Sequence, residues 1–119
     1  NYQEGYDVSN DEPLGHIPPM YGKFLTNIKF GKLETKFWWD ITAAKSIEDA
    51  NDATDNVDLA TEDGWPAWQT YNIALTWKHS KNFKLNIGIE NLTDIHYRTF
   101  SSGISAPGRN YIIGAQYKF

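Results

Sequence analysis

The sequence contains no cysteine, which excludes a disulfide framework and a thiolate metal site. It has no excess of positive charge, and its net charge of −4 argues against nucleic acid as a partner. No apolar run approaches the roughly 18 residues of a membrane-spanning helix. The first residues also lack the basic and apolar segments of a signal peptide, so we expect the chain to be a piece of a longer protein.

Aromatic residues are abundant, at 15% of the 119 residues, and five of them are tryptophan. The mean hydropathy of −0.58 is that of a water-exposed chain. A low mean still allows membrane insertion by β-strands, because a barrel strand turns only every second side chain towards lipid.

Apolar and polar residues alternate with period two in five runs, which predicts β-strands. In the clearest run Phe37, Trp39 and Ile41 share one face, while Lys36 and Asp40 share the other. About ten residues tilted by roughly 45° suffice to cross the hydrocarbon layer of a bilayer. The predicted strands lie near residues 21–30, 33–44, 68–79, 82–91 and 109–119.

The predicted connections alternate between short and long. Gly31-Lys32 and residues 79–82 form tight turns, whereas 45–67 and 92–108 are long loops. Outer-membrane barrels have short periplasmic turns and long outer loops. We therefore expect 45–67 and 92–108, together with the opening segment 1–20, to lie outside the cell.

One face of the predicted sheet carries charged side chains, which are costly to bury in a dry core but cost little in a wet lumen. The fold class predicted is all-β: an antiparallel up-and-down transmembrane β-barrel, of which the chain holds about five strands. A soluble sandwich or lipocalin-like barrel is the alternative. The candidates for lumen-facing residues are Glu34, Lys36, Trp38, Asp40, Lys84 and Glu90.

Four short motifs follow one another in the order found in TonB-dependent outer-membrane receptors, and the chain resembles that family along nearly all of its length. Thr93 departs from the pattern, since the family usually has Phe there. The motifs are Ile17-Pro18-Pro19 with Gly22, Asn91-Leu92-Thr93-Asp94 with Tyr97, Pro107-Gly108-Arg109, and the final Phe119.

The resemblance implies a 22-stranded barrel with an N-terminal plug domain, of which residues 1–119 would be the C-terminal segment without the plug. The parent would import a scarce solute such as a ferric siderophore, haem, cobalamin or a glycan through the outer membrane of a Gram-negative bacterium. Its implied partners are outer-membrane lipid, the plug and remaining strands, the TonB complex through the absent N-terminal region, and the barrel-assembly machinery. We expect no cofactor.

The same resemblance makes Tyr117 and Phe119 an expected assembly signal at the end of the last strand. Asn91, Asp94, Tyr97 and Arg109 are expected to tie the last outer loop to the barrel rim, because Asn and Asp favour turns. Arg109 would pair with a carboxylate such as Asp94 or Glu90.

Residues 45–64 contain seven acidic side chains without a period and predict a solvated loop; a Ca²⁺ site is the weaker alternative, because the EF-hand ligand order is missing. His16 and His96 lie in predicted outer segments, but lone loop histidines are mostly solvated, so we expect no metal or haem ligand. Ser80 and Ser101 stand outside any nucleophile elbow, so we expect no enzyme.

Two other functions remain open at this stage. One is a small soluble β-sheet module that binds carbohydrate through exposed tryptophans, namely Trp38, Trp39, Trp65 and Trp68. The other is a porin-like barrel that does not depend on TonB.

Overall fold

The computed structural model describes all of residues 1–119, and the chain folds into β-strands, turns and one short 3₁₀ helix, Val57–Leu59. The predicted all-β, antiparallel fold class is confirmed. None of its helical structure is long and apolar enough to cross a membrane. The strands are β1 Tyr6–Asp7, β2 Glu12–Pro13, β3 Tyr21–Phe30, β4 Leu33–Thr42, β5 Trp68–Trp77, β6 Phe83–Glu90 and β7 Asn110–Tyr117.

Strands β3 to β7 form one antiparallel sheet in which the spatial order equals the sequence order. This up-and-down arrangement leaves β3 and β7 as edges, so the sheet is open, consistent with a piece of a barrel. An exposed edge presents unpaired N–H and C=O groups that invite pairing with further strands.

Short turns join β3 to β4 and β5 to β6, and each has a local cause. Gly31 begins the first turn with φ of 57°, a left-handed conformation that glycine adopts without steric cost. In the second turn the Ser80 hydroxyl accepts the backbone N–H of Phe83 at 3.1 Å.

Four of the five long strands are shorter than their sequence-based boundaries, and the opening segment also differs; β5 ends at Trp77 and β6 spans Phe83–Glu90. Strand β4 ends at Thr42, and the N–H of Ala43 donates instead to Met20 O at 2.8 Å. Strand β7 ends at Tyr117, although Lys118 N–H still donates to Asn82 O at 2.9 Å. The opening segment, expected to be a loop, contains the small antiparallel β1–β2 hairpin, because short pairings carry too weak a period to be predicted.

The contacts divide the chain into two compact units, each of which is described separately below. The loop unit comprises residues 1–22, 41–69 and 96–106. The strand unit comprises residues 23–40, 70–95 and 107–119.

The two faces of the strand unit differ in chemistry, as the register shows. Leu75 pairs with Ile87 and Trp77 with Leu85 on the apolar face. On the opposite face Thr76 pairs with Asn86, and its hydroxyl donates to Asn86 Oδ1 at 2.9 Å. A sheet of this kind needs two different environments, one apolar and one polar.

No second layer covers the apolar face. Ile113 is 78% exposed, Phe30 and Ile28 are exposed as well, and the buried hydrophobic residues of the chain are only Ala50 and Trp65, both in the loop unit. A soluble sandwich would bury this face against a second sheet. The sheet therefore lacks the dry core that the soluble alternative requires.

Candidate functional site

The polar face of the strand unit holds a set of paired charges. Glu34 on β4 forms ion pairs with Lys78 at 3.1 Å and with Lys29 at 3.8 Å. Asp40, further along β4, pairs with Lys23 at 3.1 Å. Because partially exposed pairs compensate each other, this face stays polar without a large desolvation penalty.

The other lumen-facing candidates also have polar neighbours. The ammonium group of Lys36 lies 5.3 Å from the ring centroid of Trp38, a cation–π contact. Lys84 is the cross-strand neighbour of Gln116, and Glu90 accepts a hydrogen bond from Asn110 Nδ2 at 3.2 Å. Whether this face meets the lumen of a barrel stays a prediction.

Asn91 follows β6 directly and is the centre of a buried hydrogen-bond cluster. Its side-chain oxygen accepts the N–H of Ile95 at 3.1 Å, and its Nδ2 donates to Ile95 O at 2.8 Å. Its backbone N–H donates to Asn72 Oδ1 at 2.9 Å. With φ of 51°, Asn91 adopts the left-handed turn conformation that asparagine tolerates better than most residues.

Asp94 and Arg109 meet at the start of β7, though not as the expected ion pair. The carboxylate of Asp94 accepts the backbone N–H of Arg109 at 2.7 Å, while the guanidinium Nε donates to Leu92 O at 3.1 Å. The expected partner of the Arg109 side chain is thus corrected from a carboxylate to a backbone carbonyl. The loop is closed by main-chain groups, which suits a structural role. We call Asn91, Asp94 and Arg109 the rim clasp.

Tyr97, which was grouped with the rim residues, lies in the loop unit instead. Its ring contacts that of Trp68 at a centroid distance of 4.3 Å, with the two planes tilted by 35°. The pair lines a cavity of about 350 Å³, which we call the Trp65 cavity. The cavity is lined by Leu59, Ala60, Thr61, Gly64, Trp65, Pro66, Ala67, Trp68, His96, Tyr97 and Arg98.

The alternative of a soluble carbohydrate-binding module counts Trp65 among its exposed tryptophans, but Trp65 is buried. Its residue surface is only 4% exposed, and its ring packs edge-on against Phe100 at 4.8 Å. Reciprocal backbone hydrogen bonds of 2.8 and 3.0 Å link it to Lys45. The indole Nε1–H is buried and has no hydrogen-bond acceptor, an unusual state for a buried donor.

The acidic loop of residues 45–64, which was expected to be solvated, contains a buried ion pair. Asp55 is fully buried; it accepts the N–H groups of His16 at 2.6 Å and Asn51 at 3.0 Å. Lys45 Nζ lies 3.4 Å from the same carboxylate, donates to Ile17 O at 2.6 Å, and packs 4.5 Å from the Phe100 ring centroid. One acidic residue of this loop is therefore a core residue.

The pKa of Asp55 reflects two opposing effects. Burial alone would raise it, but the backbone N–H groups of Asn51 and His16 and the charge of Lys45 outweigh burial, so the pKa lies below its ordinary value of 3.8. Asp55 therefore stays ionised and holds Lys45 in place at neutral pH.

The remaining candidates lie apart from these clusters. The ring of Phe119 is fully exposed and contacts Tyr117 edge-on at 5.3 Å. The side chain of His16 is largely exposed, and that of His79 lies between the rings of Trp77 and Phe83. No group of three or more His, Cys, Asp or Glu residues is placed to hold a metal ion.

Sequence reasoning missed Asn72, which is buried in β5 and connects three segments. Its Nδ2 donates to Trp38 O at 3.2 Å and to Asp40 Oδ2 at 3.3 Å, while its Oδ1 receives the N–H of Asn91. Asparagine is depleted in strands, so an Asn at the middle of an alternating run is the signal that could have marked it.

Comparison with known proteins gives a match in structure only. No protein-family model and no curated protein matches the sequence. Among solved structures the chain is similar to the copper transporter OprC, with a TM-score of 0.80 and 20% sequence identity over 96% of this chain. The chain spans only 20% of the length of that transporter. This similarity establishes that the chain has the fold of one part of a transporter.

Proposed function

We propose that the chain is the C-terminal part of the barrel of a TonB-dependent outer-membrane receptor that imports a scarce solute. The observation that carries the proposal is a five-stranded sheet with an uncovered apolar face opposite a face of paired charges. Lipid on one side and water on the other would stabilise both faces.

Within this proposal the strand residues have defined roles. Glu34, Lys36, Trp38, Asp40, Lys84 and Glu90 would line the inner wall towards the plug. The rim clasp would hold the last outer loop, and Tyr117 with Phe119 would be recognised by the barrel-assembly machinery. Support comes from the ordered motifs of the sequence and from the similarity to one part of a transporter.

The proposed parent works by capture and gating. Outer loops would bind the solute, and the plug, moved by the TonB complex, would open a path along the polar wall. The residues of this chain supply wall and entrance, while energy coupling would belong to the absent N-terminal region. The protein would thus act by binding and translocation without a chemical step.

Uptake measurements on the complete protein test this proposal. Deleting its gene in the source bacterium should abolish uptake of one member of a labelled panel: ferric siderophores, haem, cobalamin, oligosaccharides and copper. Restoring the gene should restore uptake, and dissipating the proton gradient should abolish it again. Uptake of many small solutes that is insensitive to the gradient would indicate a porin and contradict the proposal.

A further inference from the structure

The Trp65 cavity has the features of a small binding site within the loop unit. Its volume of about 350 Å³ is at the lower end of the range of roughly 300–1,000 Å³ that ligand pockets occupy. Most of its lining residues are apolar or aromatic, with polar groups at Thr61, His96, Tyr97 and Arg98, a composition common in ligand pockets.

The walls of this cavity are fixed by hydrogen bonds rather than left to flexible side chains. Thr61 and Gly64 exchange two backbone hydrogen bonds of 2.9 Å, and the Thr61 hydroxyl donates to Gly64 O at 2.6 Å. Gly64 has φ of 107°, and a Cβ there would collide with the carbonyl oxygen of Lys45. Arg98 Nη1 donates to Leu59 O at 2.8 Å. A site held in this way loses little entropy on binding.

Two features of the lining point to a ligand. Trp65 is one of the lining residues, and its Nε1–H is buried without an acceptor, so a ligand oxygen that reached it would satisfy an unpaired donor. The Trp68 and Tyr97 rings, tilted by 35° with centroids 4.3 Å apart, present aromatic surface in the same cavity. The matching ligand has an apolar ring face and hydrogen-bond acceptors around its edge.

The charged residues at the cavity favour an uncharged sugar over an anionic ligand. Arg98 is the one formally charged side chain in the lining, and one of its five guanidinium N–H groups donates to Leu59 O. Glu62 and Asp63 stand exposed between the lining residues Thr61 and Gly64, where they would repel an anionic ligand. An uncharged ligand avoids this repulsion and can accept hydrogen bonds from the remaining Arg98 donors.

We propose that the Trp65 cavity binds one sugar ring of an uncharged oligosaccharide. The C–H face of the pyranose would pack on the Trp68–Tyr97 pair, and a local shift of the wall would let a ring or hydroxyl oxygen accept the buried Trp65 Nε1–H. This inference rests on the proposed function, because it names a glycan as the solute class that the receptor captures.

Titration of the chain within the complete protein, purified in detergent micelles, tests the proposal, with maltose, cellobiose and N,N′-diacetylchitobiose as probes. Calorimetry and saturation-transfer NMR should show saturable binding of at least one probe below about 10 mM. Trp68→Ala should weaken binding at least about tenfold by removing the stacking surface. Trp65→Phe keeps an aromatic ring but loses the N–H, and should weaken binding about fivefold.

Trp38→Phe, a matched change in the strand unit, should leave the dissociation constant unchanged. If Trp65→Phe fails to fold, the weakened sugar binding expected of Trp68→Ala and Tyr97→Leu still tests the proposal. Absence of saturable binding of all three probes to the folded chain would overturn the proposal, as would unaltered binding by Trp68→Ala. So would preferential binding of 2,3-dihydroxybenzoate that is lost in Arg98→Gln.

The two proposals fail separately. If the chain inserts into lipid and the parent imports a solute, but no sugar binds, only the sugar site is overturned. If the chain binds sugar as a soluble monomer without detergent, the membrane function is overturned and a soluble carbohydrate-binding module takes its place.

Discussion

The loop unit and the strand unit are stabilised in opposite ways. The loop unit contains both buried hydrophobic residues, Ala50 and Trp65, and the buried pair of Lys45 and Asp55. The strand unit buries Thr70, Asn72, Gly88 and Asn91, none of them a large apolar residue, and exposes its apolar face. A soluble domain folds around an internal core, whereas a membrane sheet depends on the apolar medium outside it. One short chain therefore contains segments built for two different solvents.

The largest effect is expected from removing the carboxylate in the core of the loop unit. Asp55→Ala leaves the Lys45 ammonium buried without its counter-charge, a change that typically costs about 3–5 kcal/mol. Amide hydrogen exchange in micelles should show loss of protection in residues 45–65. Protection in β6 and β7, which belong mainly to the strand unit, should be retained.

Asp52→Ala is the matched control for this change. Asp52 belongs to the same acidic loop but is exposed, so its removal should alter stability by less than about 0.5 kcal/mol. Equal effects of the two substitutions would show that the loop is uniformly solvated, and the contrast between the units would then be lost.

The next largest effect is expected from placing a charge on the apolar face of the strand unit. Ile112 and Ile113 are neighbours on β7, and their side chains point to opposite faces. Ile113→Arg puts a charge on the proposed lipid face and should cost about 2–4 kcal/mol near the bilayer midplane. Ile112→Arg puts it on the polar face and should cost much less. Urea unfolding from lipid vesicles measures both.

This pair of substitutions discriminates sharply because residue type, strand and charge are the same. A soluble sheet with both faces in water would tolerate the two arginines equally. Equal free energies of unfolding for Ile112→Arg and Ile113→Arg would therefore contradict a lipid-facing sheet.

Sequence reasoning succeeded where the signal is local and periodic. Alternation with period two predicted the all-β fold, and Gly31 marked a turn by its own backbone preference. The core of the loop unit gave no such signal. Asp55 is one of seven acidic residues in 45–64, and only its contacts with Lys45 and His16 distinguish it from the others. Such contacts depend on how distant segments fold together.

Tyr97 illustrates the same limit within a single motif. The motif resemblance grouped it with Asn91 and Asp94, because the three lie close in sequence. The chain reverses at Asn91 and Asp94, both with positive φ, and the Tyr97 ring then contacts the Trp68 ring. Motif spacing predicted the turn but not the partner of the aromatic ring beyond it.

A smaller effect is expected from the rim clasp, where the strand unit uses a buried polar side chain in place of an apolar core. Asn91→Ala leaves the N–H and C=O of Ile95 without their side-chain partners, which should cost about 1–3 kcal/mol. Asn91→Gly keeps the left-handed backbone but loses the same bonds. Urea unfolding in micelles should show that both variants are less stable than the native protein. Near-native stability of Asn91→Gly would show that the backbone conformation of residue 91, and not its side-chain hydrogen bonds, stabilises this turn.

The smallest effect is expected from acid, and it should again separate the two units. The folded-state pKa of Asp55 lies below its ordinary 3.8, so its contribution to stability is present above that value and is lost as the pH falls through the folded-state pKa. The midpoint of thermal unfolding, monitored by tryptophan fluorescence, should therefore hold steady down to about pH 5 and decline below pH 3.8. The decline should be smaller than the loss in Asp55→Ala, because a protonated carboxyl still accepts backbone hydrogen bonds.

Asp7, whose pKa is lowered by the N–H of Ser9, also titrates in the loop unit, so Asp7→Asn is the background for the measurement. In that background Asp55→Asn should flatten the curve; an unchanged acid transition would show that the buried pair does not set the acid response of this unit.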